Sequence, residues 1–320
     1  MPIIPSPYKP PLFFRNGHIS TIYSGVFRKV EDLDQKRERI DLPDGDFLDL
    51  DWSYSPEKTD KMVIVVHGLE GSAQRPYITG SAKIFNAHSY DVCAINLRSC
   101  SGTTNRLFRS YHSGATEDLI AVLDHVIRSY PYKVICLKGF SLGGNLILKY
   151  LGEGNRIPSQ IKAAIAVSAP CDLYSSLTQL LMPKNVLYAM RFKKHLIEKL
   201  RAKQSLFPDK ITDSDIAGIK TLKDFDDTYT SKAHGFKDAM DYYTQSSSLQ
   251  FISNIQIPTL ILNAKDDSFL GPTCYPIEES KKNHHLYLEM PLYGGHVGFY
   301  GENNTIYTEK RAINFLEEFL

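Results

Sequence analysis

Short runs of almost uninterrupted apolar residues recur along this chain, and the early ones alternate with stretches of helical spacing. Met62-Val63-Ile64-Val65-Val66 precedes a helix pattern at residues 76–88, and Val92-Cys93-Ala94-Ile95-Asn96-Leu97 precedes an amphipathic one at 116–130. Lys133-Val134-Ile135-Cys136-Leu137, Ala163–Val167, Thr259–Leu262 and His285–Met290 follow, with a last helix pattern near 306–319. A strand that is apolar on both faces must be covered on both faces, which parallel sheets with crossover helices achieve. The alternation predicts an α/β fold with a mostly parallel central sheet and helices on both sides. Ile40-Asp41-Leu42 and Phe47–Trp52 flank the turn sequence Pro43-Asp44-Gly45-Asp46 and predict an opening hairpin. The second of its strands alternates, which predicts one face in solvent.

The rhythm stops at Pro170. Residues 171–250 carry helical patterns and no strand pattern; one sets Val186, Leu187, Met190, Leu196 and Leu200 among Arg191, Lys193, Lys194 and Lys199. This segment reads as a helical cap insertion over a core made of residues 36–170 and 251–320, with a proline-rich arm at 1–35 packing on that core. The insertion's basic face reads as a solvated face, with anionic substrates or a membrane surface as the alternatives.

Composition narrows the function. A chain of 320 residues with 42% hydrophobic and 23% charged residues can bury a full core in one large domain with an insertion. A formal net charge of +1 gives nucleic acid no global attraction. The five cysteines (Cys93, Cys100, Cys136, Cys171, Cys274) show no zinc-ligand spacing, and Cys93 and Cys136 fall inside strand patterns as small hydrophobes. No Walker A sequence occurs, and Gly152-Glu153-Gly154 lacks the third glycine of a dinucleotide fingerprint, so neither cofactor nor metal is expected. Residues 1–7 have three prolines and no secretory h-region, and no apolar run approaches the roughly 20 residues of a membrane span. A soluble, cytoplasmic protein is expected, with peripheral lipid contact left open.

Gly139-Phe140-Ser141-Leu142-Gly143-Gly144 lies between the strand pattern at 133–137 and the helix pattern at 145–151. A G-x-S-x-G in that setting is a nucleophile elbow, in which a sharp turn pushes the serine oxygen clear of the sheet. The plainer alternative is a glycine-rich turn whose serine caps the helix. A serine nucleophile needs a base within hydrogen-bond reach, oriented by a third group. Asp266-Asp267 follow one strand and His296 follows the last, both at the strand ends where open α/β sheets bind ligands. Asp267 is preferred over Asp266 as the acid, Asp266 being readable as a loop cap. The N–H groups of Leu142 and of Leu69, in His67–Ser72, are the candidate oxyanion donors. His67 reads as a brace for that loop, His284 and His285 as surface residues at the opposite edge, and His195 and His234 as solvent-facing.

Taken together, these motifs make the chain resemble the YheT-like branch of the α/β-hydrolases, related to the eukaryotic α/β-hydrolase-domain lipases and yeast medium-chain ester synthase/esterases. The resemblance runs nearly end to end. It includes Arg15-Asn16-Gly17-His18, His67–Ser72, Asn96–Gly102, Tyr111–Gly114 with Asp118, the elbow, Asp224–Asp227, Asn263–Asp267 and Gly294–Phe299. It implies a triad of Ser141, Asp267 and His296, and hydrolysis of short- to medium-chain carboxylic esters or glycerolipid esters through an acyl-enzyme. Ser268 departs from the family, which often has proline there. An acyltransferase using an alcohol acceptor and a non-catalytic ligand-binding relative remain as alternatives, since fold does not fix function. Arg98 and His112 read as loop-holding residues with acyl or phosphate contact as the alternative, and Asp224, Asp226 and Asp227 as loop and cap residues.

Overall fold

A computed structural model describes residues 3–320; Met1 and Pro2, where the arm begins, lie outside it. The nine strands are β1 (Ile3–Ile4), β2 (Lys36–Asp41), β3 (Phe47–Ser53), β4 (Lys61–Val66), β5 (Asp91–Asn96), β6 (Val134–Phe140), β7 (Ile161–Val167), β8 (Thr259–Leu262) and β9 (Leu286–Glu289). They form one sheet in the order β1-β9-β8-β7-β6-β4-β5-β3-β2. β3 runs antiparallel to β2 and β5, and every other neighbour pair is parallel.

The near-continuous apolar strands are buried on both faces, as a parallel sheet requires. Met62, Ile64 and Val66 pack on one side with Leu119, Val122 and Leu146 from the helices Thr116–Ser129 and Leu142–Gly152. Val63 and Val65 pack on the other with Phe85 and Phe315 from Pro76–Ala87 and Tyr307–Glu317. All five cysteines are free and buried.

β3 corrects one expectation. Its alternation is real, but all seven residues are buried. Opposite Asp49 and Asp51 in the β2 register stand Arg39 and Arg37, whose guanidinium groups reach the carboxylates at 2.7 and 2.6 Å. The polar face is covered by paired arginines rather than water, and fork-on-fork pairing satisfies both carboxylate oxygens.

Between β7 and β8 the described residues contain helices and no strand, the longest being Val186–Leu206. The arm is more closely woven into the core than a packing segment would be. β1 adds a strand to the sheet edge beside β9. Asn16 caps the short helix Gly17–Ile22 by accepting from the N–H groups of His18 and Ile19. Arg28 then forms a buried pair with Glu309 at 2.8 Å, both side chains under 3% exposed. Removing one partner of such a pair costs about 3–5 kcal/mol, because the other charge is left buried alone.

Candidate active site

Loops from β4, β6, β7, β8 and β9 converge at the carboxyl edge of the sheet. Ser141 follows β6 directly with φ 52° and ψ −119°, a left-handed conformation that a non-glycine residue adopts only under constraint. The constraint is close packing two residues on. A Cβ on Gly143 would stand 2.5 Å from the Val66 carbonyl oxygen and 2.7 Å from that of His67, so only glycine lets the helix 142–152 start against β4.

Ser141 Oγ lies 2.8 Å from His296 Nε2. His296 Nδ1 faces the two Asp267 carboxylate oxygens at 2.9 and 3.1 Å. The tautomer that satisfies both ends carries its proton on Nδ1, donates it to Asp267 and accepts from the serine hydroxyl. Asp267 is buried at 4% exposure, takes a further 2.9 Å hydrogen bond from the Phe269 N–H, and so is held on two sides. The Phe269 ring stacks on His296 at 4.3 Å. Asp267, not Asp266, meets the histidine.

Asp266 does different work. Its Oδ1 accepts from the Gly295 N–H at 2.8 Å, and its Oδ2 is buried without a partner. Burial pushes its carboxyl up to about 6, with the neighbouring Asp267 charge adding to the rise. Two hydroxyls that sequence reasoning missed complete the support of this loop. Thr21 Oγ1, from the arm, accepts the His296 N–H at 2.8 Å, and Ser168 Oγ, after β7, accepts the Val297 N–H at 3.0 Å. Gly295, at φ 60°, packs directly against the Gly17 carbonyl, which leaves no room for a side chain.

The loop after β4 is pinned from several directions. His67 Nδ1 donates to the Gly68 carbonyl at 2.7 Å, and its Nε2 accepts from the Leu97 N–H at 3.1 Å. With both ring nitrogens used and burial lowering its pKa to about 3, His67 is a neutral brace. Tyr111 Oη accepts from the Glu70 N–H at 2.9 Å and donates to the Glu70 carboxylate at 2.7 Å. Among the described residues the N–H groups of Leu69 and Leu142 donate no hydrogen bond. For Leu142 the reason is its place as the first residue of its helix, where N–H groups have no partner within the helix.

Ser141 and His296 open onto a cavity of about 280 Å³. Leu173, Leu177, Leu180, Phe192 and Leu196, all from the 171–250 segment, line it opposite the sheet, and Tyr111 lines its side.

The other candidates fall outside this arrangement. Arg98 is buried against Asp118 (2.6 Å) and Asp46 (3.1 Å), holding loops as expected. His112 accepts from the Gly114 N–H at 3.2 Å, and burial lowers its pKa to about 3. His234 corrects an expectation: it packs on His112 with ring centres 4.4 Å apart, its Nε2 buried, because the insertion folds that turn inward. The His195 side chain is 40% exposed and pairs with Glu198 at 3.2 Å, solvent-facing as expected, while also lining the cavity. His284 and His285 are exposed. Asp224 caps a helix with Thr221, Asp226 accepts from Tyr243 and Thr230, and Asp227 accepts from the Ala239 N–H. No group of three or more potential metal ligands occurs among the described residues.

Comparison with known proteins bears on the fold and the family. A family model described as alpha/beta hydrolase fold matches residues 61–302. The chain is 34% identical over 319 residues to YheT of Escherichia coli (strain K12), an esterase by designation, covering 96% of this chain and 92% of that one. It is 28% identical over 307 residues to the phospholipase ABHD3 of Mus musculus, covering 93% and 74%. Among solved structures, the Pyrococcus furiosus esterase Pf2001 superposes with a TM-score of 0.60 at 18% identity, covering 91% of this chain and 95% of that one.

Proposed function

The chain belongs to the alpha/beta hydrolase fold family, and from that premise we propose that it cleaves carboxylic esters, of short- to medium-chain acyl groups or of glycerolipids, through an acyl-enzyme on Ser141. The observation that supports this reading is the unbroken hydrogen-bonded line from Asp267 through His296 to Ser141 at the wall of an apolar cavity.

In this mechanism Ser141 Oγ attacks the ester carbonyl while His296 Nε2 takes its proton. Asp267 holds the imidazole in the productive tautomer and stabilises the imidazolium without itself taking the proton. The carbonyl oxygen, now an anion, is received by the Leu69 and Leu142 N–H groups, the second of them at the positive end of the helix 142–152. His296 then protonates the leaving alcohol. Water then attacks the acyl carbonyl and gives a proton to the same nitrogen, which passes it to Ser141 Oγ as the bond to the acyl group breaks and the acid leaves. The 171–250 segment serves as a cap whose apolar side chains receive the acyl chain.

The test is labelling with a fluorophosphonate probe together with hydrolysis of p-nitrophenyl esters of increasing chain length. Ser141→Ala is expected to abolish both. Labelling of Ser141→Ala equal to that of the wild type, or no labelling of the wild type, overturns the proposal.

A further inference from the structure

Exposed apolar side chains are not scattered evenly over this molecule. Among the described residues, ten of the sixteen large ones come from two short segments, residues 12–27 and 181–190. The arm contributes Leu12, Phe13, Ile22, Val26 and Phe27, with Leu12 79% and Phe27 68% exposed. The insertion contributes Leu181, Met182, Val186, Leu187 and Met190, with Leu187 77% exposed.

The two segments meet. His18 Nδ1 and Tyr188 Oη lie 3.2 Å apart and their rings stack, which joins the arm helix to the helix 186–206. Ile22 and Val26 on one side, and Tyr188 and Arg191 on the other, line the same cavity that Ser141 lines. Of the exposed apolar residues, Ile22 and Val26 therefore line the cavity, and Phe27, Leu187 and Met190 adjoin lining residues in sequence.

Charge on these segments has one sign. Residues 3–30 contain Lys9, Arg15, Lys29 and Arg28, the last buried against Glu309, and residues 173–197 contain Lys184, Arg191, Lys193 and Lys194. Neither stretch holds an aspartate or glutamate, the next acidic residue being Glu198, 3.9 Å from Lys194. The chain as a whole is nearly balanced, with 37 basic and 36 acidic residues. An apolar ridge edged by cations is the arrangement that lies in the boundary of an anionic bilayer, through apolar insertion and attraction to headgroups. No helix among the described residues is long and apolar enough to cross a membrane.

We infer that the arm and the helix 186–206 form a collar that docks the cavity mouth on an anionic lipid surface, so that ester substrates pass from the lipid to Ser141 without crossing water. A protein partner covering the same collar would seal the mouth, whereas a lipid surface leaves it open to anything dissolved in the lipid. The basic face of the insertion is then a docking face and not merely a solvated one. The use made of docking rests on the proposed ester hydrolysis, but docking itself does not require Ser141.

The test uses the full chain carrying Ser141→Ala, so that vesicles stay intact. It is expected to sediment with vesicles of equimolar phosphatidylglycerol and phosphatidylcholine at low salt, and much less with phosphatidylcholine alone or at high salt. Adding Phe27→Ser, Leu187→Ser and Met190→Ser is expected to weaken binding about tenfold or more. In the Ser141 background the same three changes are expected to leave hydrolysis of soluble p-nitrophenyl acetate unaltered, which certifies the fold. Lys184→Glu with Lys194→Glu gives a second route to the same loss. Failure to bind anionic vesicles, or equal binding by both sets of variants, overturns the inference. So does a dimer in size-exclusion chromatography that the three serine changes dissociate, which would make the collar a self-interface. Binding without fluorophosphonate labelling would retain the docking surface and remove only the hydrolytic reading.

Discussion

The loop that carries Ser141 and the loop that carries His296 meet at a 2.8 Å hydrogen bond, but they are held by different means. Ser141 is fixed mainly by its own neighbours in sequence, a buried strand before it, a helix after it and Gly143 against β4, with its N–H donating to the Val167 carbonyl of β7 at 2.8 Å. His296 is fixed by distant pieces, through Thr21 from the arm, Ser168 after β7, and Asp266 and Asp267 after β8. One loop is self-supporting and the other is assembled. The serine should therefore respond to steric insults nearby, and the histidine to the loss of single polar contacts far away in sequence.

The largest expected effect separates the two adjacent aspartates on the histidine side. Asp267→Asn favours the wrong imidazole tautomer and is expected to lower kcat about 10,000-fold. Asp266→Asn keeps an acceptor for the Gly295 N–H and is expected to cost less than about tenfold, within the range of a supporting contact. Steady-state kinetics on one p-nitrophenyl ester checks both; equal losses would erase the distinction between these carboxylates.

Next comes the serine side. Gly143→Ala forces a methyl group into the Val66 and His67 carbonyls, and overpacking of this kind costs about 3 kcal/mol. Chemical denaturation and fluorophosphonate labelling are expected to fall together. A stable Gly143→Ala protein with full labelling would show that the elbow can yield.

Thr21→Val tests the assembled side. It strands the part-buried His296 N–H, a loss of about 1–3 kcal/mol in the native loop. The expected kinetic result is a kcat lowered about tenfold with KM unchanged, and recovery with Thr21→Ser. An unchanged kcat would mean that the arm does not position the base.

The smallest effect is on pH dependence. Burial raises the Asp266 carboxyl from 3.8 to about 6, so between these values the folded chain holds a proton that the unfolded chain has released. The Asp266 contribution to stability therefore declines as pH rises through that window. Buried Asp226, also raised to about 6, acts in the same direction. Burial lowers His67 and His112 to about 3 and lowers His234 as well, so their contribution grows as pH rises and outweighs the two carboxyls. Asp266→Asn is expected to make the net rise in urea stability between pH 4 and pH 6 steeper, and an unchanged slope would assign the effect elsewhere.

The same contrast explains what could be read in advance. The parallel strands were legible because burial on both faces leaves continuous apolar runs, and Ser141, Asp267 and His296 because each follows such a run in order. Thr21 and Ser168 were not, because a lone hydroxyl 275 or 129 residues from its partner leaves no local pattern. The Arg15-Asn16-Gly17-His18 motif was the one available pointer, since Asn16 caps the helix that presents Thr21. The buried face of β3 was hidden for another reason. Alternation looks the same whether water or arginine covers the acidic residues, although Arg37 and Arg39 in β2 already alternate to match. His234 was misjudged because the inward fold of its turn is a tertiary event with no periodic trace.

The pairing of β1 with β9 and of Arg28 with Glu309 joins segments that a ribosome makes far apart in time. When residue 200 has been added, the strand–turn–helix unit holding Ser141 is complete, while the residues that would polarise its hydroxyl have not been made. The arm must wait, its partners still untranslated, for more than two hundred residues. The proposed site thus lacks two of its three members through most of synthesis, and the contacts that tie the arm to the core wait for residues 288 and 309.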